Sequence, residues 1–347
     1  MLLQETPTIS QPGLWGSDMI DWTRFPAHIL PLLKKHSAMK SVRHHPKIFG
    51  DTSDFCRIDY GDIIHVDERH FLVVGYTKEG RFGIEEQPKQ WVPKVYDLVS
   101  GERNILKLVF HETYELQLGK LKVTCYRSPE KEGQVLDLVH GNKMFMQGYS
   151  ALDDASNLVR VLDIIKGMRL DQYIGKYQGS YQDYFETHVH RLLKGFMESV
   201  EAIGFLHKHG FKHGDIRRDH IIVDRETGQF RWIDFDYDFY LPERPFALDL
   251  IGLGNVLLYI LGRRNHRAVD VLQNPEMGEK VLESLHVNDL SILSGDRIFN
   301  LKKLYPLLPK GFNDILLHFS AGTTVMYDDV MEFYDDLAQC IFDTFER

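Results

Sequence analysis

Cysteine is scarce in this sequence, since only three of its 347 residues are cysteine. Cys56, Cys125 and Cys340 are odd in number and lie far apart along the chain. Such a set does not fit a disulfide framework, and free thiols are typical of proteins in a reducing compartment. We therefore expect a cytoplasmic protein.

Long apolar runs are also absent. The most apolar stretch, residues 248–261, is shorter than the roughly 20 residues that a membrane helix needs, and it contains Asp249 and Asn255. We interpret it as a buried core helix and expect no membrane span. The opening residues have neither a basic nor an apolar region, so we expect no secretory signal.

The sequence has no excess of positive charge. Its 41 Lys and Arg residues are outnumbered by 50 Asp and Glu residues, which gives a net charge of −9 at pH 7. This balance excludes a general nucleic-acid-coating protein. Hydrophobic residues make up 43% of the chain and charged residues 26%, which excludes disordered and collagen-like chains. At roughly 150 residues per domain, the length predicts about two domains.

Strand patterns dominate the first part of the chain and helix patterns the second. Residues 1–55 are rich in proline and are expected to form an N-terminal surface extension. Residues 56–126 alternate β-rich runs with short polar turns. From about residue 171 onward the apolar spacing is mostly helical. This order predicts an α+β fold.

Two helices have clear signals in the sequence. Ser128 followed by Pro129 predicts the capped start of one helix. A second helix carries an apolar stripe from Val189 to Leu206, and Gly210 is predicted to end it.

The most informative segment follows that second helix. Residues 213–223 read His-Gly-Asp-Ile-Arg-Arg-Asp-His-Ile-Ile-Val, and Asp234 comes eleven residues later within Trp-Ile-Asp-Phe-Asp. This order and spacing resemble the catalytic core of the protein-kinase-like superfamily, an H-x-D-x-x-x-x-N loop followed by a hairpin and D-F-G. The resemblance covers residues 60–345. It implies a bilobal protein-kinase-like fold with a β-rich N-lobe at residues 56–167 and a mainly helical C-lobe at residues 168–347.

The resemblance implies roles in phosphoryl transfer for four residues. Asp215 would orient the acceptor hydroxyl and take its proton, and Asp234 would bind the Mg²⁺ that bridges the phosphates of ATP. Arg217, two residues after Asp215, would stabilise the transferring phosphoryl group. Lys107 is centred in an apolar strand, where a charge needs a partner, and it would hold the α- and β-phosphates.

Two further groups of residues are expected at the nucleotide. Glycines between two predicted strands resemble a phosphate-covering loop, although their spacing is looser than G-x-G-x-x-G. These glycines are Gly75, Gly80 and Gly83. A later segment resembles the hinge that contacts adenine. Its expected contacts are Leu162 and the backbone groups of Asp163 and Ile165.

A glutamate is expected to pair with Lys107. Our candidate is Glu132, which precedes an apolar pair as the corresponding glutamate does in the family. Glu130 and Glu115 stay open as alternatives.

The sequence departs from the family pattern in its metal-binding and activation segments. His220 replaces the metal-binding Asn of the loop. Its imidazole suits Mn²⁺ better than Mg²⁺, and Asp219 is an alternative ligand. Asp236 replaces the glycine of D-F-G, a form similar to that of lipopolysaccharide-core and sugar kinases. Only 15 residues separate Asp234 from Asp249, which is too few for a full activation segment with a peptide-docking loop.

The implied function is transfer of the γ-phosphate of ATP to a hydroxyl, with Mg²⁺ or Mn²⁺ as the metal. Our first expectation is an atypical bacterial-type serine/threonine protein kinase, because the C-terminal helices resemble those of protein kinases. The short segment between Asp234 and Asp249 favours a small-molecule or lipopolysaccharide-sugar kinase as an alternative. His220 favours a further alternative, a nucleotide-binding pseudokinase scaffold. Because Gly214 replaces the arginine of H-R-D, we expect a core that needs no activation-segment phosphorylation.

Overall fold

The computed structural model describes residues 21–42, 44–81, 84–118, 121–273 and 278–346. The contacts divide the chain into two units. The first comprises the described residues up to Val109 together with Ser150–Leu162, and the second comprises Phe110–Tyr149 together with the described residues from Asp163 onward.

Strands dominate the first unit and helices the second, which confirms the predicted α+β class. The strands are β1 Ile48–Phe49, β2 Ile63–Val66, β3 Arg69–Arg81, β4 Ile84–Asp97, β5 Arg103–Lys107, β6 Thr113–Leu118, β7 Leu121–Arg127, β8 Gly148–Leu152, β9 Leu158–Asp163, β10 Gly167–Arg169, β11 Ile221–Asp224, β12 Phe230–Trp232 and β13 Tyr237–Tyr240. The α-helices are α1 Leu30–Lys35, α2 Pro129–Leu138, α3 Leu170–Gly175, α4 Tyr181–Tyr184, α5 His190–Lys208, α6 Ala247–Gly262, α7 Ala268–Leu272, α8 Gly278–Ser284, α9 Lys310–Leu317 and α10 Val330–Ile341.

The first unit is built on a seven-stranded sheet in the order β1-β2-β3-β4-β5-β9-β8. Strands β2 to β5 form an antiparallel meander, and β1 pairs with β2 in parallel. Alternate side chains, among them Ile64, Phe71, Val95 and Leu106, form one buried apolar cluster. The β-rich patterns of residues 63–110 therefore specify one continuous sheet.

The segment before β1 is part of this unit's core. Phe25, Ile29 and Leu33 are buried in a second apolar cluster with Ile63 and Leu72 of the sheet. The expectation that residues 1–55 form a surface extension is therefore wrong for the described part. The prolines led to the expectation of a surface segment, but the apolar side chains around α1 stabilise the segment in the core because they bury their surface against the sheet.

Strand β3 is longer than predicted. Gly75 and Gly80 were expected between two strands, but both lie inside β3. Pairing with β4 continues to Arg81 through register shifts, one of them between Val73 and Gly75. Gly75 has φ +150, a conformation that favours glycine. The irregularities let the ladder accommodate the glycines without ending it. Gly83 lies outside the described residues.

The second unit is organised around α5 and α6. Side chains of the predicted stripe of α5, including Leu193, Phe196 and Ile203, are buried. Gly210 follows α5 with φ +79, as the sequence predicts. Helix α6 is buried along most of its length, which confirms that residues 248–261 form a core helix. None of the helices in the described part of the chain combines the length and the apolar composition that crossing a membrane requires.

Two small sheets of the second unit position the segments that carry chemistry. One has the order β10-β11-β12 and the other β13-β7-β6. Pairing of β13 with β7 ties the residues after Asp234 to the strand that precedes α2. As predicted, Ser128 caps α2, because its Oγ accepts a hydrogen bond of 3.1 Å from the Lys131 amide. These contacts group residues 110–149 with the second unit, so its limits differ from the predicted boundary at residue 167.

Candidate active site

Asp249 organises the segment that carries the candidate catalytic residues. This aspartate lies in the first turn of α6 and is fully buried. Its carboxylate accepts hydrogen bonds from the backbone amides of His213, at 2.7 Å, and Gly214, at 2.9 Å. His207 of α5 donates from Nε2 to the same carboxylate at 2.9 Å. Burial alone would raise the pKa of Asp249, but the hydrogen bonds outweigh it and hold the pKa below its ordinary value.

Gly214 is required by a close backbone contact. A Cβ atom at this position would lie 1.7 Å from the carbonyl oxygen of Tyr237. Gly214 also has φ +88, a backbone conformation that residues with a side chain rarely adopt. The segment that starts at His213 and the strand β13 can approach each other only because no side chain intervenes.

Asp215 is the candidate catalytic base, and three observations describe its surroundings. His220 Nδ1 donates a hydrogen bond of 2.8 Å to the Asp215 backbone carbonyl and lies 3.5 Å from its Oδ2. Burial raises the pKa of Asp215 above its ordinary value, although the nearby His220 and Arg217 side chains oppose this effect. The residue also lines a cavity of about 370 Å³ within the second unit.

Arg217 is held mainly by Asp219. Its Nη2 lies 2.6 Å from Asp219 Oδ2 and its Nε 3.1 Å from Oδ1, which is a bidentate pair. Its Nη1 is 3.9 Å from Asp215 Oδ2. Burial would raise the pKa of Asp219, but Arg217 lowers it to about 2. Asp219 therefore positions Arg217 beside Asp215, and this pairing weakens the case for Asp219 as the alternative metal ligand.

His220 lies between the two aspartates of the site. Its Nε2 is 3.5 Å from Asp234 Oδ2, while its Nδ1 points at the Asp215 carbonyl. A carbonyl oxygen only accepts hydrogen bonds, so Nδ1 carries a proton. In the neutral ring Nε2 then presents a lone pair to a carboxylate. Either a second ring proton or a bound cation would make that contact favourable.

Three carboxylates lie together next to His220. One ligand atom each of Glu132, Asp234 and Asp236 lies within 4.8 Å of the others. Asp234 is held with φ +66, and Glu132, in the first turn of α2, is fully buried. Oxygen ligands at this spacing suit a divalent cation. The predicted ligands Asp234 and His220 are therefore brought together, and Glu132 and Asp236 are found beside them.

Arg127 contacts this acidic cluster. Its Nη1 lies 2.6 Å from Asp236 Oδ2, and its Nε lies 3.0 Å from Glu112 Oε2. Burial lowers the pKa of Arg127, but the charges of Asp236 and Asp234 outweigh it and raise the pKa. The guanidinium thus neutralises part of the buried negative charge of Asp236.

Lys131 ties α2 to both segments of the site. Its Nζ donates to the backbone carbonyls of His213 at 2.9 Å, Phe235 at 2.9 Å and Tyr237 at 2.7 Å. Only 7% of the residue is exposed, and burial lowers the pKa of its amine to about 8. Three acceptors match the three protons of an ammonium group. We call Lys131 with these three carbonyls the Lys131 clamp.

Lys107 and the hinge-like residues were also predicted at the site. Lys107 ends β5 in the first unit and is buried, alternating with Leu106 and Leu108 of the apolar cluster. Glu132 lies in the second unit, and its pairing with Lys107 stays a prediction.

Leu162 is buried at the end of the first unit, where its carbonyl accepts a hydrogen bond of 3.4 Å from Asn104. Asp163 is exposed and Ile165 is half-buried in the second unit. Contact of these residues with adenine, and of Gly75 and Gly80 with phosphates, stays a prediction.

The sequence reasoning missed Arg127 and Lys131. Both are single charged residues near Ser128, where strand-end and helix-start residues are usually exposed. The one signal was the replacement of glycine by Asp236, since a buried carboxylate needs a cation.

A kinase is among the known proteins to which the chain is similar in sequence. No protein-family model matches the chain. The smooth-muscle myosin light chain kinase of Gallus gallus is 27% identical over 158 residues, which cover 42% of this chain. The chain spans only 8% of that relative's length. The predicted similarity to the protein-kinase-like superfamily is confirmed by this relative.

Among solved structures, the chain is similar to two mutant forms of the PknI kinase domain of Mycobacterium tuberculosis. With the single mutant it shares 12% identity at a TM-score of 0.46, over 81% of this chain and 98% of that chain. With the double mutant the identity is 12% and the TM-score 0.43, over 78% and 95% of the two chains.

Proposed function

We propose that this protein is an ATP-dependent phosphotransferase that transfers the γ-phosphate to a hydroxyl group. The observation that carries the proposal is the convergence of Asp215, His220 and Asp234. Asp215 and Asp234 flank one histidine, each with a carboxylate oxygen 3.5 Å from a ring nitrogen. A base and a metal ligand held this close suit in-line transfer, which depends on positioning and charge neutralisation.

The second unit supplies the groups for the proton and the phosphoryl charge. The acceptor oxygen would bond to the γ-phosphorus while the bond from that phosphorus to the bridging oxygen breaks, so that ADP leaves with the electron pair. Asp215 would take the hydroxyl proton, for which its raised pKa is suited. Arg217, 3.9 Å from Asp215, would stabilise the transferring phosphoryl group. Lys107 would hold the α- and β-phosphates.

The residues present fit a divalent cation. Oxygen atoms of Asp234, Asp236 and Glu132 are ligands that Mg²⁺ prefers, and the His220 imidazole is one that Mn²⁺ accepts. When bound, the metal would supply positive charge that neutralises the phosphates of ATP. We assign Asp234 and His220 to it first, because the hydrogen bond at Nδ1 directs Nε2 at the Asp234 carboxylate.

A small-molecule acceptor is the first candidate. The cavity of about 370 Å³ beside Asp215 lies within the usual range of small-ligand sites, roughly 300–1,000 Å³. The segment after Asp234 forms β13 and reaches α6 within a few residues, which leaves little chain for a peptide-docking loop. A serine/threonine protein acceptor is the second candidate, because one relative by sequence is a myosin light chain kinase.

The experiment uses the full chain with γ-labelled ATP and Mg²⁺ or Mn²⁺, in the presence of a cell extract. Label in small molecules supports the first candidate and label in protein the second. Asp215→Asn should lower transfer by at least about 100-fold, the usual effect of losing a positioned acid or base. The control Asp335→Asn changes an exposed aspartate of α10 and should leave transfer unchanged. Absence of any transfer would leave the pseudokinase reading and overturn the proposal.

A further inference from the structure

The cavity beside Asp215 is lined by three arginines, although the chain as a whole is acidic. Its wall includes Arg217, Arg218 and Arg297, together with the amide side chains Asn255 and Asn265. All of them belong to the second unit. The chain as a whole has a net charge of −9, so general steering of anions does not account for this concentration of arginine.

Two of these arginines lack an acidic partner. Arg217 is paired with Asp219. Among the described residues, neither Arg218 nor Arg297 forms an ion pair with a carboxylate. The Nε of Arg218 is buried without a hydrogen-bond partner among those residues, and its guanidinium lies over the Tyr259 ring at 4.9 Å.

The side-chain contact of Arg297 is likewise with an uncharged group. One of its guanidinium nitrogens donates to the side-chain oxygen of Asn255, which is uncharged. Burial and the charge of Arg218 lower the pKa of Arg297, and the charge of the adjacent Asp296 offsets this effect only in part. Two like charges near each other in a partly buried wall are unfavourable unless an anion offsets them.

We propose that the acceptor is a small hydroxylated molecule that carries a phosphate or carboxylate group, bound by Arg218 and Arg297. Guanidinium groups bind both anions through paired hydrogen bonds. The anionic group would fix the molecule in the cavity, with its hydroxyl toward Asp215, which lines the same wall. This inference rests on the proposed phosphoryl transfer, and it adds the acceptor's charge and the residues that select it.

The first test measures anion binding without turnover. Inorganic phosphate and, separately, citrate are titrated into the metal-free full chain, and dissociation constants are obtained by calorimetry. We expect at least one of the two to bind, and Arg297→Gln and Arg218→Gln each to weaken binding by about tenfold or more. Arg225→Gln, at an exposed turn outside the cavity, is the matched control and should bind as the wild type does. The anion that binds more tightly indicates whether the acceptor carries phosphate or carboxylate.

A third cavity variant tests whether the loss of binding reflects misfolding. Asn255→Asp keeps both arginines and places a carboxylate against Arg297, so it should also weaken anion binding by about tenfold. Equal affinity in the wild type and all three cavity variants, or no binding of either anion, would overturn the inference.

The acceptor class is tested by transfer of label. With γ-labelled ATP, hexose phosphates and sugar acids should accept label, whereas the matching neutral sugars should not. Label that appears in neutral sugars or only in protein would contradict the inference while leaving phosphoryl transfer intact. If Asp215→Asn transfers as well as the wild type, the proposed function itself fails, so the two failures are distinguishable.

Discussion

Replacement of Lys131 by methionine tests the part of the site that the sequence did not reveal. The clamp joins α2 to the carbonyls of His213, Phe235 and Tyr237, which flank the candidate catalytic residues. Methionine preserves most of the buried volume but donates no hydrogen bond. We therefore expect Lys131→Met to loosen both segments and to lower the stability of the second unit.

The magnitude follows from two opposing effects. Three buried carbonyls left without a donor cost about 1–3 kcal/mol each. Removal of a buried ammonium recovers about 3 kcal/mol, which corresponds to the fall of the Lys131 pKa from 10.5 to about 8. We expect Lys131→Met to lower the free energy of unfolding by about 3 kcal/mol at pH 7. Turnover should fall by about tenfold or more at a temperature where the variant is folded.

Urea unfolding at pH 7 and pH 9.5 measures both the size and the sign of the effect. Because the folded pKa of Lys131 lies below its ordinary value, unfolding takes up a proton between about pH 8 and 10.5. The stability contributed by Lys131 therefore rises with pH in that window, and the difference between wild type and variant should grow by about 2 kcal/mol at pH 9.5. Lys208→Met, exposed at the end of α5, is the control. A variant as stable as the wild type at both pH values would refute this reasoning.

Three further predictions concern the neighbouring residues. Gly214→Ala should cost more than about 2 kcal/mol in urea unfolding, because its Cβ meets the Tyr237 carbonyl; Gly101→Ala, with similar φ and open space, is the control, and equal losses would contradict the argument. His220→Asn should shift the preferred metal from Mn²⁺ toward Mg²⁺ in transfer assays, and an unchanged preference would make the histidine structural. Phosphatase-treated protein and a Tyr237→Phe, Tyr240→Phe double variant should keep their turnover, whereas loss of activity with a phosphate mapped between residues 237 and 248 would contradict constitutive competence.

The local signals in the sequence predicted much of the fold. Strands β2 and β5, the Ser128 cap and the buried helix α6 follow from alternation, capping chemistry and apolar spacing within short windows. Short stretches of sequence did not predict the features that depend on packing between segments far apart in the chain. The core packing of Phe25 and the continuation of β3 through Gly75 depend on partners elsewhere in the chain.

In the candidate site, too, local sequence patterns predicted some residues, whereas contacts between distant segments were not predicted. Asp215, His220 and Asp234 were identified by order and spacing, and they lie together. The partners that hold them were not predicted, because Arg127 and Lys131 act across more than 80 residues of sequence on Asp236 and on backbone carbonyls. Every residue has a backbone carbonyl, so the residue types do not indicate which carbonyls accept a hydrogen bond from Lys131.

The most direct test of the central claim is single-turnover transfer from γ-labelled ATP. The wild type, Asp215→Asn and Asp234→Asn are compared at saturating nucleotide with parallel measurement of nucleotide affinity. We predict that Asp215→Asn binds ATP nearly as the wild type does but transfers at least about 100-fold more slowly, and that Asp234→Asn also binds metal-ATP more weakly. Transfer at near wild-type rates in both variants would contradict the assignment of this site to phosphoryl transfer.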